Sequence, residues 1–419
     1  MDWSSIAWTR WLFNFAFFYP IVMAFFWMTG GVYYYLRRER KAPRPDAPPP
    51  MAQTPFVSVL VPCFNEEDHI VSTITALSAQ AYPDFEIIAI DDGSSDRTRE
   101  LLDALVADHP RLRVVHLAQN QGKANALRMG TLAAASDYLV CVDSDATLDP
   151  HAVRWMVGHL IDGPRVGAVT GNPRIRNRTT LMGRMQIGEF SAIIGLIKRA
   201  QRTYGRLFTI SGVICAFRRT ALHDVSYWSD RMVTEDIDIS WRLQMAGWDI
   251  RYEPNALCWI LMPETLRGLW SQRLRWACGG VEVLLSHGRD VLAWKKRRMW
   301  GVLLEYLLSL AWAYVMLTII VLWLVGLFAP LPPAWQVDTL LPRWHGVVLA
   351  FVCMLQFGTS LMIERRYETG MARHFYWVIW YPIAFWMLGM FTAVVAFPRT
   401  LLRRRRRAVW TSPDRGARA

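Results

Sequence analysis

Residues 11–36, "WLFNFAFFYPIVMAFFWMTGGVYYYL", form an uninterrupted run without a charged side chain. A helix of about 20 apolar residues spans the hydrocarbon core of a bilayer, so this run is long enough to cross one. It is too long for the core of a signal peptide and lacks an A-x-A cleavage site, which indicates a retained anchor. The sequence therefore predicts a protein held in a membrane near its N-terminus.

Three more apolar runs of sufficient length, 306–329, 345–363 and 375–397, lie near the C-terminus. The chain is 53% hydrophobic, above the roughly 45–50% of globular proteins, and the surplus lies in these runs. Residues 55–295 read as an ordinary aqueous domain. We expect an N-terminal membrane anchor and basic linker over 1–50, an aqueous domain over 51–298, and a C-terminal transmembrane region with a basic tail over 299–419.

The net charge of +12 is concentrated in three blocks beside the apolar runs. "RRERKAPR" (37–44), "KKRR" (295–298) and "RRRRR" (403–407) carry +4, +4 and +5, which leaves the rest of the chain near neutrality. This placement is typical of topology signals and of contacts to anionic membrane lipids, not of a nucleic-acid site. The first two blocks predict a cytoplasmic domain and an N-terminus outside.

The C-terminal topology stays open. If all three late runs cross, "RRRRR" finishes outside, against the positive-inside rule. A re-entrant or interfacial course for one of them would remove this conflict, and the sequence does not identify which one. The six cysteines show no metal-binding spacing, and we expect unpaired, mostly buried thiols in a reducing compartment.

Within the aqueous domain, apolar runs alternate with helical patterns. Strands are predicted at 56–65, 85–94, 111–117, 137–145 and 166–171, and helices at about 66–81, 96–108, 122–135 and 149–161. This alternation predicts an α/β domain with a mostly parallel sheet and helices on both faces. Ligands of such sheets bind beyond the carboxyl ends of the strands.

Acidic residues stand at two of these strand ends. Asp143 and Asp145, separated by one residue, point the same way because side chains of a strand alternate. That arrangement suits Mg²⁺ or Mn²⁺ shared with a substrate diphosphate. Asp91 and Asp92 end the second strand, and turn or helix-cap chemistry is the alternative function for one or both.

The stretch "SQRLRWACGGVEVLL", residues 271–285, has an unusual polar and aromatic face. As a helix it places Gln272, Arg275 and Trp276 at i, i+3 and i+4. A helix needed only for packing would not group an amide, a guanidinium and an indole, and one lying on lipid is not expected to stop at Gly279-Gly280. This face predicts a ligand contact.

The motifs "VPCFNEE", "DDGSSD", "NQGKANAL", "DSDA", "TEDIDISWRL" and "QRLRW", in this order, resemble those of processive family 2 glycosyltransferases of the GT-A (Rossmann-like) fold. The family includes synthases of cellulose, chitin, hyaluronan and bacterial exopolysaccharides. Longer blocks, such as "YEPNALCWILMPETLRGLWSQRLRWA" and the tail "SPDRG", are most similar to bacterial poly-β-1,6-N-acetyl-D-glucosamine synthases, from about residue 12 to 416. One departure is the single N-terminal apolar segment, where Gram-negative relatives have two.

The resemblance implies roles for individual residues. Asn65, Glu66 and Asp92 would bind uridine and ribose, Lys123 the nucleotide or its phosphates, Asp143 the nucleotide–metal unit, and Asp145 the metal. Asp236 would be the general base that deprotonates the acceptor hydroxyl, although Glu235 and Asp238 compete for this role on sequence alone. Arg275, and in second place Arg273, would pair with the pyrophosphate. Trp276 would offer its face to an acceptor sugar beside Gln272; an interfacial aromatic belt is the alternative for Trp276.

The implied activity is transfer of N-acetylglucosamine from UDP-GlcNAc to a growing β-1,6-linked biofilm polysaccharide at the bacterial inner membrane. The resemblance also implies a small two-helix membrane subunit and, in some relatives, cyclic di-GMP at the shared interface. Alternatives are a synthase of chitin, hyaluronan or cellulose type, or a membrane transporter or scaffold whose domain only binds nucleotide. The apolar segments hold few charges, mainly Glu305, and this gives the transporter alternative little support.

Overall fold

An eight-stranded mixed sheet forms the centre of the aqueous domain in the computed structural model, which describes residues 8–337, 339–340, 343–378, 382–403 and 410. The strand order is β3-β2-β1-β4-β7-β6-β8-β5. The strands are β1 Val57–Cys63, β2 Phe85–Asp91, β3 Leu112–His116, β4 Tyr138–Val142, β5 Thr147–Leu148, β6 Val166–Ile175, β7 Ile214–Arg218 and β8 Asp249–Ile260.

Helices cover both faces of this sheet and continue into the apolar segments. They are α1 Trp8–Tyr34, α2 Ile70–Ser78, α3 Thr98–Asp108, α4 Lys123–Ala133, α5 Ala152–Asp162, α6 Leu181–Phe190, α7 Lys198–Tyr204, α8 Arg219–Asp224, α9 Glu235–Met245, α10 Leu266–Val291, α11 Trp300–Phe328, α12 Arg343–Glu364, α13 Phe375–Val378 and α14 Met387–Leu402. Short π-helical turns, Tyr35–Glu39, Ser191–Ile197 and Pro382–Trp386, adjoin α1, α6 and α14.

The five predicted strands and four predicted helices all form. Every residue of β1 and β2 is buried, as expected for central parallel strands. The neighbours β1–β2, β2–β3, β1–β4 and β6–β8 run parallel. β7 runs antiparallel to both β4 and β6. The sheet is therefore mixed, and the polar strand ends of its parallel half share one edge.

Helix α10 contains the 271–285 stretch and runs through Gly279 and Gly280 without a break to Val291. A Cβ at Gly279 would lie 1.9 Å from Thr234 Oγ1, and one at Gly280 would lie 2.6 Å from the Tyr306 hydroxyl oxygen. The two glycines therefore allow close approach of α10 to α9 and α11; they do not end the helix.

Four helical segments among the described residues are long and apolar enough to cross a membrane: Trp8–Glu39, Trp294–Phe328, Trp344–Glu364 and Ala384–Leu402. The chain is accordingly a membrane protein. All six cysteines are buried free thiols, as predicted.

The last apolar segment begins and ends beside the aqueous domain. Before it, the Arg184 guanidinium lies 5.0 Å from the ring centroid of Trp377. After it, Arg403 Nη1 lies 3.1 Å from Glu282 Oε1 of α10. Between these points α14 packs along α10, with Ala396 in one apolar cluster with Leu274, Cys278 and Val281. The rest of the predicted arginine block, and the tail at 412–416, lie outside the described residues.

A buried charge cluster, which we call the junction cluster, joins two membrane segments to the domain. The Arg199 guanidinium of α7 donates to both carboxylate oxygens of Glu39, at 2.7 and 3.0 Å, and also to Glu364. Arg174 of β6 donates to the other oxygen of Glu364. The Tyr367 hydroxyl donates to Glu39 at 2.6 Å. The ends of α1 and α12 are thereby tied to the same domain helix.

Candidate active site

A cavity of about 1280 Å³ lies where the sheet edge meets α10 and extends between the membrane helices. Its domain end is lined by charged and polar side chains, and its membrane end mainly by aromatic ones. The lining includes Lys123, Asp143, Asp145, Lys198, Glu235, Asp236, Gln272, Arg275 and Trp276, then Trp27, Glu305, Trp312 and Trp386, and also Trp410. Residues far apart in sequence thus form one continuous compartment.

The predicted uridine-binding residues lie in the loops after β1 and β2, outside the lining of this cavity. Asn65 has a left-handed backbone (φ 55°), which asparagine tolerates better than most residues. Its N–H donates to Ser94 Oγ at 3.0 Å, and its Oδ1 accepts from the Ser95 N–H at 2.8 Å. Glu66 is buried, and its N–H donates to Thr98 Oγ1 at 2.7 Å. These contacts fix the two loops against each other.

Asp91 and Asp92 both hold backbone groups. Asp91 accepts from the Ser94 N–H at 2.9 Å, the turn function expected for one of the pair. Asp92 accepts from the N–H groups of Gln121 and Gly122, at 3.0 and 2.7 Å. Burial raises the pKa of Asp92, while these backbone hydrogen bonds oppose the rise. Asp92 therefore positions the loop that leads into Lys123.

Lys123, the first residue of α4, is surrounded by acidic and carbonyl groups. Its Nζ lies 2.5 Å from Asp143 Oδ1 and 3.2 Å from Glu235 Oε1, and it donates to the Gly212 carbonyl at 3.3 Å. Burial alone would lower the pKa of Lys123, but the two carboxylates outweigh burial and raise it. The side chain is a fixed cation at the domain end of the cavity.

Asp143 and Asp145 both line the cavity, together with Ser144 between them, in the loop that follows β4. Burial raises the pKa of Asp143, and Lys123 opposes the rise. Among the described residues no group of three or more His, Cys, Asp or Glu side chains forms a metal site. Carboxylate oxygens suit Mg²⁺ or Mn²⁺, so the residues fit an ion that completes its ligand shell with oxygens of a bound diphosphate.

The three acidic residues that begin α9 have different environments. Asp238 is fully buried and pairs with Arg242 at 2.7 Å and with His287 at 2.8 Å, so it is committed to packing between helices. Glu235 lines the cavity but pairs with Lys123. Asp236 lines the cavity too, and its Oδ2 lies 3.4 Å from the Gly212 N–H nitrogen.

The protonation of Asp236 is strongly perturbed. Burial, followed by the charge of Glu235, raises the pKa of Asp236 to about 6, and Lys123 and Arg275 oppose the rise. A carboxylate with a pKa near the working pH can both accept and release a proton. Of the three candidates, Asp236 has the environment of a general base.

The predicted face of α10 is present. Gln272, Arg275 and Trp276 all line the cavity, as their i, i+3, i+4 spacing indicated. Arg273 does not; its Nη2 lies 2.5 Å from Glu189 Oε2 of α6, and its guanidinium stacks over Trp276 at 4.4 Å. Arg275 is therefore the arginine of the motif that faces the compartment, and Arg273 orients the indole.

Two residues of the site were missed from sequence. Trp410 lines the cavity, its ring lies 6.3 Å from that of Phe64, and its backbone pairs with the Asn120 side chain at 2.9 and 3.2 Å. Lys198 of α7 is buried beside Asp236 in the same lining. Burial lowers the pKa of Lys198 to about 7, and the Asp236 charge opposes the fall. The contact between Trp410 and Asn120 spans 290 positions, and such a contact leaves no local sequence signal.

Known proteins resemble this chain in sequence and in fold. Residues 54–279 match the family model described as glycosyltransferase like family 2. The chain is 38% identical over 407 residues to a poly-β-1,6-N-acetyl-D-glucosamine synthase of Staphylococcus epidermidis, covering 97% of this chain and 98% of that protein. A Staphylococcus aureus synthase of the same name is 38% identical over 408 residues, covering 96% and 98%.

A solved structure shares the fold. It is a mannosyltransferase of Pyrobaculum calidifontis in complex with GDP-mannose and Mn²⁺, with a TM-score of 0.62, 22% identity, and coverage of 93% of this chain and 99% of that one. At this identity the likeness shows the fold, which is GT-A.

Proposed function

The chain belongs to glycosyltransferase family 2, and on this premise we propose that it is a processive, inverting synthase of β-1,6-linked poly-N-acetylglucosamine that uses UDP-GlcNAc. The observation that carries the proposal is the continuous cavity. It joins the carboxylates of β4 and α9 to the polar face of α10 and then to aromatic residues between the membrane helices. The likeness to synthases named for this polymer extends over nearly the whole chain.

Asp236 has the central chemical role in the proposed reaction. Its carboxylate takes the proton from the acceptor hydroxyl as that oxygen attacks the anomeric carbon of the donor, and the bond to UDP breaks. One such displacement converts an α-linked donor into a β-linked product. A pKa of about 6 keeps most of this carboxyl ionised at neutral pH.

Cationic side chains hold the donor. Arg275 presents a planar guanidinium that can bind two oxygens of the pyrophosphate, and Lys123, in the lining of the same cavity, supplies a point charge. Asp145, with Asp143, would hold Mg²⁺ or Mn²⁺, which when bound neutralises charge on the diphosphate leaving group. Gln272 and Trp276 face the acceptor sugar.

The orientation in the membrane is part of the proposal. A cytoplasmic domain at the bacterial inner membrane gives access to nucleotide sugar, and the basic blocks beside the apolar segments support it. In this proposal α1, α11 and α12 cross the membrane, and the last segment lies along α10 without crossing. The C-terminus then lies on the catalytic side. We also propose a small two-helix subunit, with cyclic di-GMP at its interface as a regulator, on the family resemblance alone.

The test is product analysis. Membranes containing the chain, given UDP-GlcNAc and Mg²⁺, should make a polymer that a β-1,6-GlcNAc-specific hydrolase digests, and membranes with Asp236→Asn should make none. Chitin would resist that hydrolase, hyaluronan would require a second donor, and cellulose would require UDP-glucose. A transporter or scaffold would show no turnover and no effect of Asp236→Asn; that result would exclude the proposed activity.

A further inference from the structure

We propose that Lys198 is a positioning residue for glycosyl transfer, because it holds the Ser211-Gly212 turn in place between Asp236 and Lys123. The inference rests on the proposed function, since it assigns a role within that reaction. Lys198 is the first residue of α7, which lies between the sheet and the membrane segments.

The ammonium of Lys198 makes two well-defined hydrogen bonds. It donates to Thr170 Oγ1 of β6 at 2.9 Å and to Ser211 Oγ at 2.8 Å. The Ser211 N–H donates to the same Thr170 oxygen at 2.8 Å. The three residues form a closed triangle, so the position of Ser211 is fixed by both its side chain and its backbone.

The next residue transmits this position to the reacting groups. The Gly212 N–H faces Asp236 Oδ2, with 3.4 Å between nitrogen and oxygen, and the Gly212 carbonyl accepts from Lys123 at 3.3 Å. There is little spare room, since a Cβ at Gly212 would lie 3.3 Å from both Cβ and Oδ2 of Asp236. Movement of Ser211 would therefore change the setting of Asp236, whereas Lys123 keeps Asp143 and Glu235 as partners.

Burying an ammonium is costly unless its partners compensate. Lys198 is only 5% exposed, and its Nζ lies 5.9 Å from the Tyr252 ring centroid. The adjacent residue, Arg199, belongs to the junction cluster, and Gln201 donates to Glu305 of α11 at 3.1 Å. These contacts anchor α7 to the membrane segments and thereby fix the position of Lys198.

Kinetics of Lys198→Met should separate positioning from general packing. We expect kcat to fall about tenfold to a hundredfold, the scale for a small misplacement of a reacting group, while the donor KM changes less than about threefold. Ser211→Ala should act through the same contact, so the double variant should be no slower than Lys198→Met alone. Additive losses would contradict the shared pathway.

The acid limb of the pH–rate profile is the second readout. Lys198 is faced by Asp236 from α9, Cys215 from β7 and Tyr252 from β8; Asp236 is faced by Glu235, by Lys123 and by Arg275. Loss of the Lys198 charge should raise the pKa of Asp236 and move the acid limb to higher pH. If Lys198 contributed only to packing, the acid limb of Lys198→Met would stay at the same pH. That result would contradict the proposal.

Lys41→Met, at an exposed lysine of the linker, is the matched control and should behave as the wild type. UDP binding and thermal stability in detergent would show whether each variant is folded. If the wild type makes no polymer from UDP-GlcNAc, the proposed function fails. If the wild type is active and folded Lys198→Met matches it in kcat and pH profile, only the positioning role is overturned.

Discussion

Lys123 and Asp143 form an ion pair with 2.5 Å between Nζ and Oδ1, and Glu235 lies 3.2 Å from the same ammonium. The cation expected to meet the donor's phosphates therefore has two protein carboxylates as partners, with which a diphosphate would compete. Donor binding would therefore change the partners of Lys123. The charge of Lys123 also lowers the pKa of Asp236, the proposed base.

Lys123→Met should weaken UDP binding about tenfold to a hundredfold, since a hydrogen bond to a charged group contributes about 1.5–3 kcal/mol. It should also raise the pKa of Asp236, because Lys123 lowers that pKa in the wild type. Calorimetry with UDP measures the affinity. Lys295→Met, an exposed lysine, serves as control; equal affinity in the two variants would remove Lys123 from the donor site.

The activity should depend on pH through Asp236. The base acts only as a carboxylate, so with a pKa of about 6 the rate should fall about tenfold per pH unit below that value and level off above it. Asp236→Asn should abolish transfer but keep UDP binding. Asp238→Asn should instead lower stability, because it weakens buried pairs with Arg242 and His287. An inactive yet fully stable Asp238→Asn variant would reopen the choice of base.

Asp145→Asn should nearly abolish synthesis and remove the effect of Mg²⁺ or Mn²⁺ on UDP affinity, because a ligand carboxylate is lost. Binding of UDP with and without each ion, by calorimetry, gives a readout independent of turnover. Asp149→Asn, four positions later, is the control; its carboxylate accepts from the His151 N–H at 3.0 Å and lies outside the cavity lining. Full activity of Asp145→Asn at low Mg²⁺ would exclude the metal assignment.

Trp276→Ala and Arg275→Ala should fail differently. Loss of an aromatic stacking platform of about 1–3 kcal/mol, a scale taken from base stacking, predicts acceptor capture weakened about tenfold to a hundredfold, with donor binding and slow donor hydrolysis retained. Arg275→Ala should impair the chemical step, where charge develops on the pyrophosphate. Donor binding, hydrolysis and polymer length would be measured for both. Equal losses of UDP affinity would mean that the face binds only nucleotide.

Cysteine labelling can test the course of the last segment, because all six native thiols are buried. Leu402→Cys, 85% exposed at the end of α14, should be labelled from the same side as Arg99→Cys, at an exposed position of the domain. Phe328→Cys, 88% exposed at the end of α11, should be labelled from the opposite side. Labelling of positions 402 and 328 from one side would mean that the last segment crosses.

The sequence predicted five of the eight strands, the acidic residues after β4 and the α10 face, because each depends on a local pattern, whereas β5, β7 and β8 were not predicted. The structure contains the predicted buried strands β1 and β2. It also contains the predicted helix with Gln272, Arg275 and Trp276 at i, i+3 and i+4. Without the family resemblance, the sequence could not separate Asp236 from Asp238, since the difference lies in the contacts of Asp238 with His287 and Arg242. The sequence also could not show that Arg273 forms an ion pair with Glu189.

The antiparallel β7 and the packing of α14 on α10 depend on contacts between distant residues. Arg403 pairs with Glu282, which lies 121 positions earlier in the chain. Hydropathy alone does not distinguish the last apolar segment from the other three. The four apolar segments were recognised from the sequence, whereas the packing of α14 on α10 could not be predicted from hydropathy.

The junction cluster also orders events during synthesis. Glu39 leaves the ribosome first, Arg199 follows 160 residues later, and Glu364 another 165 residues after that. A nascent chain can make the first pair as soon as the domain forms, but Arg174 and Arg199 share the second carboxylate only once α12 has been made and inserted. Until α12 supplies Glu364, the cluster therefore holds two arginines against the single carboxylate of Glu39, and Glu364 brings its charges into balance.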